Sequence, residues 1–117
     1  MKLRFRNNSL RLRLNQREAA ALSAGKAIEE HVDFPGGSAL AYRLVPADSP
    51  DAGAEFSAGV ITVSIPAATA KSWEQSDDIG VYYRAGSLDV AIEKDLECKD
   101  GPEAERDPYA YPREATC

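Results

Sequence analysis

Leucine and arginine alternate strictly along Leu10-Arg11-Leu12-Arg13-Leu14, the period-two pattern of a strand that buries one face and wets the other. The leucines belong inside and the arginines outside. Helical signals follow at once. Asn15 and Glu18 stand at capping-box spacing, Ala19 and Leu22 recur at helical spacing, and Gly25 offers a left-handed stop, which brackets a helix over about 16 to 24. Ile28 to Phe34 reads as a strand, Pro35-Gly36-Gly37 as a turn, and Ala39 to Val45 as the returning strand of a hairpin.

The same order of patterns comes round again 51 residues later, with Phe5 falling on Phe56, Leu10 on Ile61, Leu12 on Val63 and Leu22 on Trp73. Asn7-Asn8 falls on Ala58-Gly59, both suited to a turn or bulge. Val60 to Ile65 is the second alternating strand, Pro66 fits the first helical position, and the helix runs to about Gln75. Ile79 to Tyr83 and Leu88 to Ile92 form a hairpin across Arg84-Ala85-Gly86-Ser87. The expectation is an α+β fold of two strand-helix-strand-strand repeats with two short helices, forming a mainly antiparallel sheet or a partly closed barrel. One domain should cover 1–98, with repeats over about 1–50 and 51–98, and 99–117 should form an acidic tail. Tyr109 and Tyr111 are the large apolar groups of that tail, suited to pin it across the body or onto a second subunit.

Composition changes this picture little. A chain of 117 residues, 44% hydrophobic and 28% charged, is that of one ordinary globular domain. No apolar stretch is long enough to span a bilayer, and Lys2-Leu3-Arg4-Phe5-Arg6 alternates where a signal peptide needs an unbroken apolar core. No membrane association and a cytoplasmic location are therefore expected. The two cysteines, Cys98 and Cys117, have eighteen residues between them and no Cys-x-x-Cys pairing, so a metal or redox framework has little support.

Charge changes the picture more. Residues 1–26 carry +6 and residues 27–117 carry −11, which sum to the −5 of the whole chain. Either the basic N-terminal strand is neutralised inside the fold by Glu29, Glu30, Asp33, Glu93 or the acidic tail, or it presents an anion-binding face.

The run Asn8-Ser9-Leu10-Arg11-Leu12-Arg13-Leu14-Asn15-Gln16-Arg17-Glu18, with Glu93-Lys94-Asp95-Leu96-Glu97-Cys98 later, resembles a family of small bacterial proteins of unknown function. Members open with a similar Asn-Ser-Ile/Leu-Arg-Leu-Arg-Leu strand, carry a similar Glu-Lys-Asp segment and end in an acidic stretch before an aromatic-Pro pair, which Tyr111-Pro112 resembles here. The resemblance implies one domain and assigns no chemistry.

Candidate chemistry is correspondingly sparse. Arg11 and Arg13, two residues apart on one strand, project to the same side and with Arg4 and Arg6 could grip a phosphate or carboxylate bidentately. Arg17 is near them in sequence. The acidic remainder of the chain would repel a long polyanion, which argues against nucleic acid. His31 is the only histidine, which removes any two-histidine metal site and leaves one base for an enzyme built on a crevice between the halves. Ser9, Ser64 and Ser72 lack a nucleophile-elbow setting, and Pro35-Gly36-Gly37 lacks the glycine and lysine of a phosphate loop. Glu93, Asp95, Glu97 and Cys98, with Glu103 or Asp107, could in principle ligate a cation but show no cation-loop spacing, and Trp73 reads as core or subunit interface. No catalytic residue, cofactor or metal is indicated. The expected role is a non-catalytic binding or protein-interaction module, with a protein partner or a second copy of the chain, and with an anion or nucleic-acid binder and a small enzyme as alternatives.

Overall fold

The computed structural model describes residues 1–96 together with Tyr109 and Tyr111; Cys98, Cys117 and the rest of the expected tail lie outside the described residues. The first half runs β1 (Lys2–Arg6), β2 (Ser9–Leu14), α1 (Gln16–Ser23), β3 (Ile28–Asp33) and β4 (Ala39–Ala47). The second runs β5 (Gly53–Ser57), β6 (Val60–Pro66), α2 (Ala67–Gln75), β7 (Gly80–Ala85) and β8 (Leu88–Lys94). Each half thus opens with one more strand than its plainest pattern shows.

That extra strand folds back on its successor through a two-residue turn. Asn7 has φ 51°, and Ala58 and Gly59 have φ 52° and 77°, the left-handed backbone that tight hairpins require. Asn and Gly take this conformation readily, whereas Ala58 carries a Cβ against it. Helix α1 begins as its sequence predicts: the Asn15 side chain accepts the Glu18 amide at 2.9 Å, and Glu18 accepts the Asn15 amide at 3.0 Å. Helix α2 differs in one detail. Pro66 ends β6 and sits at the N-cap, one position before the first helical residue, and makes no side-chain cap. The α2 start has no equivalent of the capping box.

The eight strands form two separate four-stranded sheets, ordered β1-β2-β8-β7 and β3-β4-β6-β5, with no closed barrel. Neither sheet belongs to one half. Each combines the first hairpin of one half with the last hairpin of the other, joined at the centre by a parallel pair, β2 with β8 and β4 with β6. The outer pairings are antiparallel. Leu12 lies opposite Ile92 and Val63 opposite Leu44, so the repeat of 51 shortens to 48 over the last strands. The second hairpin is the tighter one: two residues separate β7 from β8, where five separate β3 from β4.

The inward faces of both sheets meet in one core. Leu12, Leu14, Leu22, Leu44, Val63, Ile65 and Ile92 are fully buried there. Helices α1 and α2 pack on each other at the end where β2 and β6 finish, placing Ala19, Leu22, Ala70 and Trp73 into the core. The hairpin turns lie at the opposite end. There the sheets diverge around an apolar cleft of about 430 Å³, lined by repeat-related pairs: Phe5 and Phe56, Leu10 and Ile61, Leu40 and Leu88. Phe5 is 57% exposed and Phe56 70%.

Along the sides the sheets are tied by tyrosines. Tyr83 donates to the carbonyl oxygens of Gly53 at 2.9 Å and Ser64 at 3.2 Å, joining β7 to β5 and β6. Tyr42 donates to Glu30 at 2.8 Å and to the Met1 carbonyl at 3.1 Å on the other side. The buried Met1 ammonium pairs with Glu18 and Glu30. Burial opposes that charge, but the two carboxylates outweigh it and raise the ammonium pKa. Burial pushes the Tyr83 hydroxyl up to about 12; burial followed by the Glu30 contact does the same for Tyr42.

Candidate anion-binding face

Strand register places Arg4, Arg6, Arg11 and Arg13 on one surface. Because Leu10, Leu12 and Leu14 point inward, Ser9, Arg11 and Arg13 point outward, and residues opposite them share that face. Three rows result across β1, β2, β8 and β7: Lys2, Arg13, Glu93 and Gly80; Arg4, Arg11, Ala91 and Tyr82; Arg6, Ser9, Asp89 and Arg84. Six basic side chains therefore share the face with two acidic ones.

The acids are placed at one side. Glu93 Oε1 forms ion pairs with Arg11 Nε at 3.1 Å and Arg13 Nε at 3.6 Å, and Glu93 accepts the Tyr82 hydroxyl at 2.7 Å. That hydrogen bond, with burial second, raises the Tyr82 pKa. Arg84 pairs with Asp89 at 3.0 Å, and Lys2 with the buried Asp95 at 2.9 Å. Arg4 and Arg6 have no carboxylate within ion-pair distance among the described residues. Worse for the isolated fold, Arg4 stands directly opposite Arg11 and Lys2 directly opposite Arg13. Like charges so placed destabilise a sheet, by amounts of roughly 0.2–1 kcal/mol per pair on the scale of favourable ones. Arg4, Arg6, Arg11 and Tyr82 surround a groove of about 730 Å³.

The acidic partners expected from sequence divide differently. Glu93 does hold Arg11 and Arg13, but Glu29 and Asp33 lie on the outward face of the other sheet, and Glu30 binds the N-terminal ammonium. Arg17 leaves the arginine face for α1, where its guanidinium lies 3.9 Å above the Tyr109 ring. Tyr111 rests half-buried against the core beside Lys94, its amide donating to the Asp95 carbonyl at 2.6 Å. Both described tyrosines of the C-terminal segment thus touch the body of the same chain.

The remaining candidates are dispersed. His31 is exposed opposite Ala41. Ser9 donates to the Arg6 carbonyl within the β1–β2 turn, Ser64 faces Gly53, and Ser72 lies on α2. Trp73 is core, its Nε1 donating to the Ile79 carbonyl at 3.2 Å. Lys94 turns inward beneath Trp73 and donates to the Ser76 carbonyl, away from Glu93 and Asp95. Glu97, Cys98, Glu103 and Asp107 lie outside the described residues. Among the described residues no group of three or more His, Cys, Asp or Glu side chains converges as metal ligands do, and no helix is long and apolar enough to cross a membrane. Tyr82 was not singled out from sequence; its place in the alternation of β7 put it outward, but only β8 as neighbour brings it to the arginines.

A family of unknown function, DUF7009, matches residues 1–114, and the chain belongs to that family. No curated protein and no solved structure matches the chain.

Proposed function

We propose that this member of a family without assigned chemistry is a non-catalytic binding module, and that its ligand is an acidic stretch of a partner protein held on the arginine face. One observation carries the reading: Arg4 and Arg6 stand unpaired beside a groove, with Arg4 set against Arg11 at a cost to the sheet. A fold that tolerates such opposed charges needs a counter-charge from outside those strands, and carboxylates suit guanidinium forks. A short acidic ligand also fits the charge balance better than nucleic acid does, because the chain as a whole carries −5.

Titration with heptaglutamate, followed by fluorescence anisotropy, tests this. Binding is expected at low ionic strength and should weaken as salt rises. Arg4→Glu combined with Arg6→Glu should abolish it; both side chains are exposed, so the fold should survive. Equal affinity in the double variant removes the reading. Tighter binding of a ten-nucleotide single strand than of the peptide would move the ligand class to nucleic acid.

A further inference from the structure

We propose that the ligand docks as an added strand on the edge of β1, which no described strand covers, and that it is an extended segment in which acidic and apolar residues alternate. This rests on the acidic-ligand reading above and gives it a backbone geometry. Strand β1 ends its sheet, and its hairpin with β2 closes on a two-residue turn with Arg6 opposite Ser9. Residues flanking such a turn exchange both backbone hydrogen bonds, and the bonding then alternates. Lys2, Arg4 and Arg6 therefore bond inward to β2, while the amide and carbonyl groups of Leu3 and Phe5 point to the open edge.

A strand laid on that edge has its side chains chosen for it. Alternate residues fall beside Lys2, Arg4 and Arg6 on the outward face and want carboxylates; the intervening ones fall beside Leu3 and Phe5 and want apolar groups. Phe5 lines both the basic groove and the apolar cleft, so one incoming strand supplies charge to the first and covers the exposed ring at the second. Two features of the protein remain otherwise unexplained, the unpaired arginines and the 57% exposed Phe5, and this single occupant satisfies both.

The other edges do not offer this. Strands β5 and β7 approach each other and are bridged by Tyr83, and β3 carries Glu29 and Asp33 outward, which repel an acidic strand. A second copy pairing β1 with β1 would bring two sets of Lys2, Arg4 and Arg6 together.

Two peptides of identical composition decide the matter: acetylated Glu-Val-Glu-Val-Glu-Val-Glu and its block isomer Glu-Glu-Glu-Glu-Val-Val-Val. The alternating peptide should bind at least about tenfold more tightly and slow amide hydrogen exchange at Leu3 and Phe5, and N-methylation of one of its two alternate residue sets should abolish binding. Phe5→Ala should weaken the alternating peptide more than the block isomer. Equal affinity for both isomers, with exchange at Leu3 and Phe5 unchanged, overturns the added strand while leaving the arginine face as an acid-binding surface. Salt-insensitive binding, or none, of both peptides overturns the two together.

Discussion

The two sheets are built alike and charged unlike. Their inward faces carry equivalent aliphatic residues, Leu10, Leu12 and Leu14 answering Ile61, Val63 and Ile65. Outward, Arg11 and Arg13 of β2 answer Thr62 and Ser64 of β6, and Arg4 of β1 answers Glu55 of β5. In the second sheet Arg43 has Glu29 opposite it, a complementary placement; in the first, arginine faces arginine. The core is constrained by packing, so the halves agree there, while the water-facing positions have diverged most at the surface with unpaired charge. Packing is conserved between the halves of this chain and charge is not.

Substitutions can break or sharpen that comparison. The largest effects lie in the shared core: Leu12→Ala should cost about 2–5 kcal/mol in urea denaturation, and its counterpart Val63→Ala less, having lost two carbons where leucine loses three. Equal costs would mean the two sheets relax differently around a void.

Cutting the chain after Cys98 removes Tyr109 from Arg17 and Tyr111 from the core near Lys94. A loss of about 1–3 kcal/mol should follow, lowering the melting temperature by roughly 4–8 °C per kcal/mol. An unchanged transition would mean that those contacts contribute nothing to stability.

The tyrosines that tie the sheets together sense alkali. Tyr83 and Tyr42 each have a folded pKa of about 12, above the usual 10, so the folded state holds those protons more tightly than the unfolded state. Their stabilisation is whole below about pH 10 and is lost as pH rises from there toward 12. Tyr83→Phe should cost about 1 kcal/mol at neutral pH and remove part of that alkaline loss, measured as denaturation midpoints across the range.

Ala58 and Asn7 occupy equivalent left-handed turn positions. Ala58→Asn should stabilise by about 0.5–1 kcal/mol, and Asn7→Ala should destabilise by a similar amount, read as shifts in melting temperature. The smallest change in stability, under about 1 kcal/mol, belongs to Glu93→Gln, which frees Arg11 and Arg13. Its effect should appear in binding, with a severalfold gain in affinity for heptaglutamate.

Much of this fold is legible in the chain itself because its local signals are strong. Leu10 to Leu14 alternates without a break, Asn15 and Glu18 are read directly as a cap, and the repeat locates the second half from the first. Strand β1 also alternates, yet five residues beginning at the chain's first positions are read more readily as a basic lead-in than as an edge; β5, Gly-Ala-Glu-Phe-Ser, barely alternates at all. The exchange of hairpins between sheets is not legible. The inward residues of β8 and β4 are both apolar over most of their length, so β2 has no local reason to choose one over the other, and only the assembled core decides. That choice also sets which acids reach the arginines. Glu93 arrives because β8 is the neighbour of β2; with β4 there, Val45 would have taken that place and Arg43 would have stood beside Arg11 in place of Ala91.

The exchanged hairpins also govern how the protein is made. Strand β2 receives its second neighbour from β8, some 80 positions further along, with Leu10 beside Val90. At synthesis rates of about 5–20 residues per second, the growing chain waits roughly 4–16 s with one side of that strand uncovered. Contacts so distant in sequence also slow folding from the denatured state. A chain caught at that stage accepts the β7–β8 hairpin of a neighbouring chain by the same pairing it would make with its own, so refolding at rising concentration should yield a growing share of exchanged dimers, each with two complete copies of both sheets.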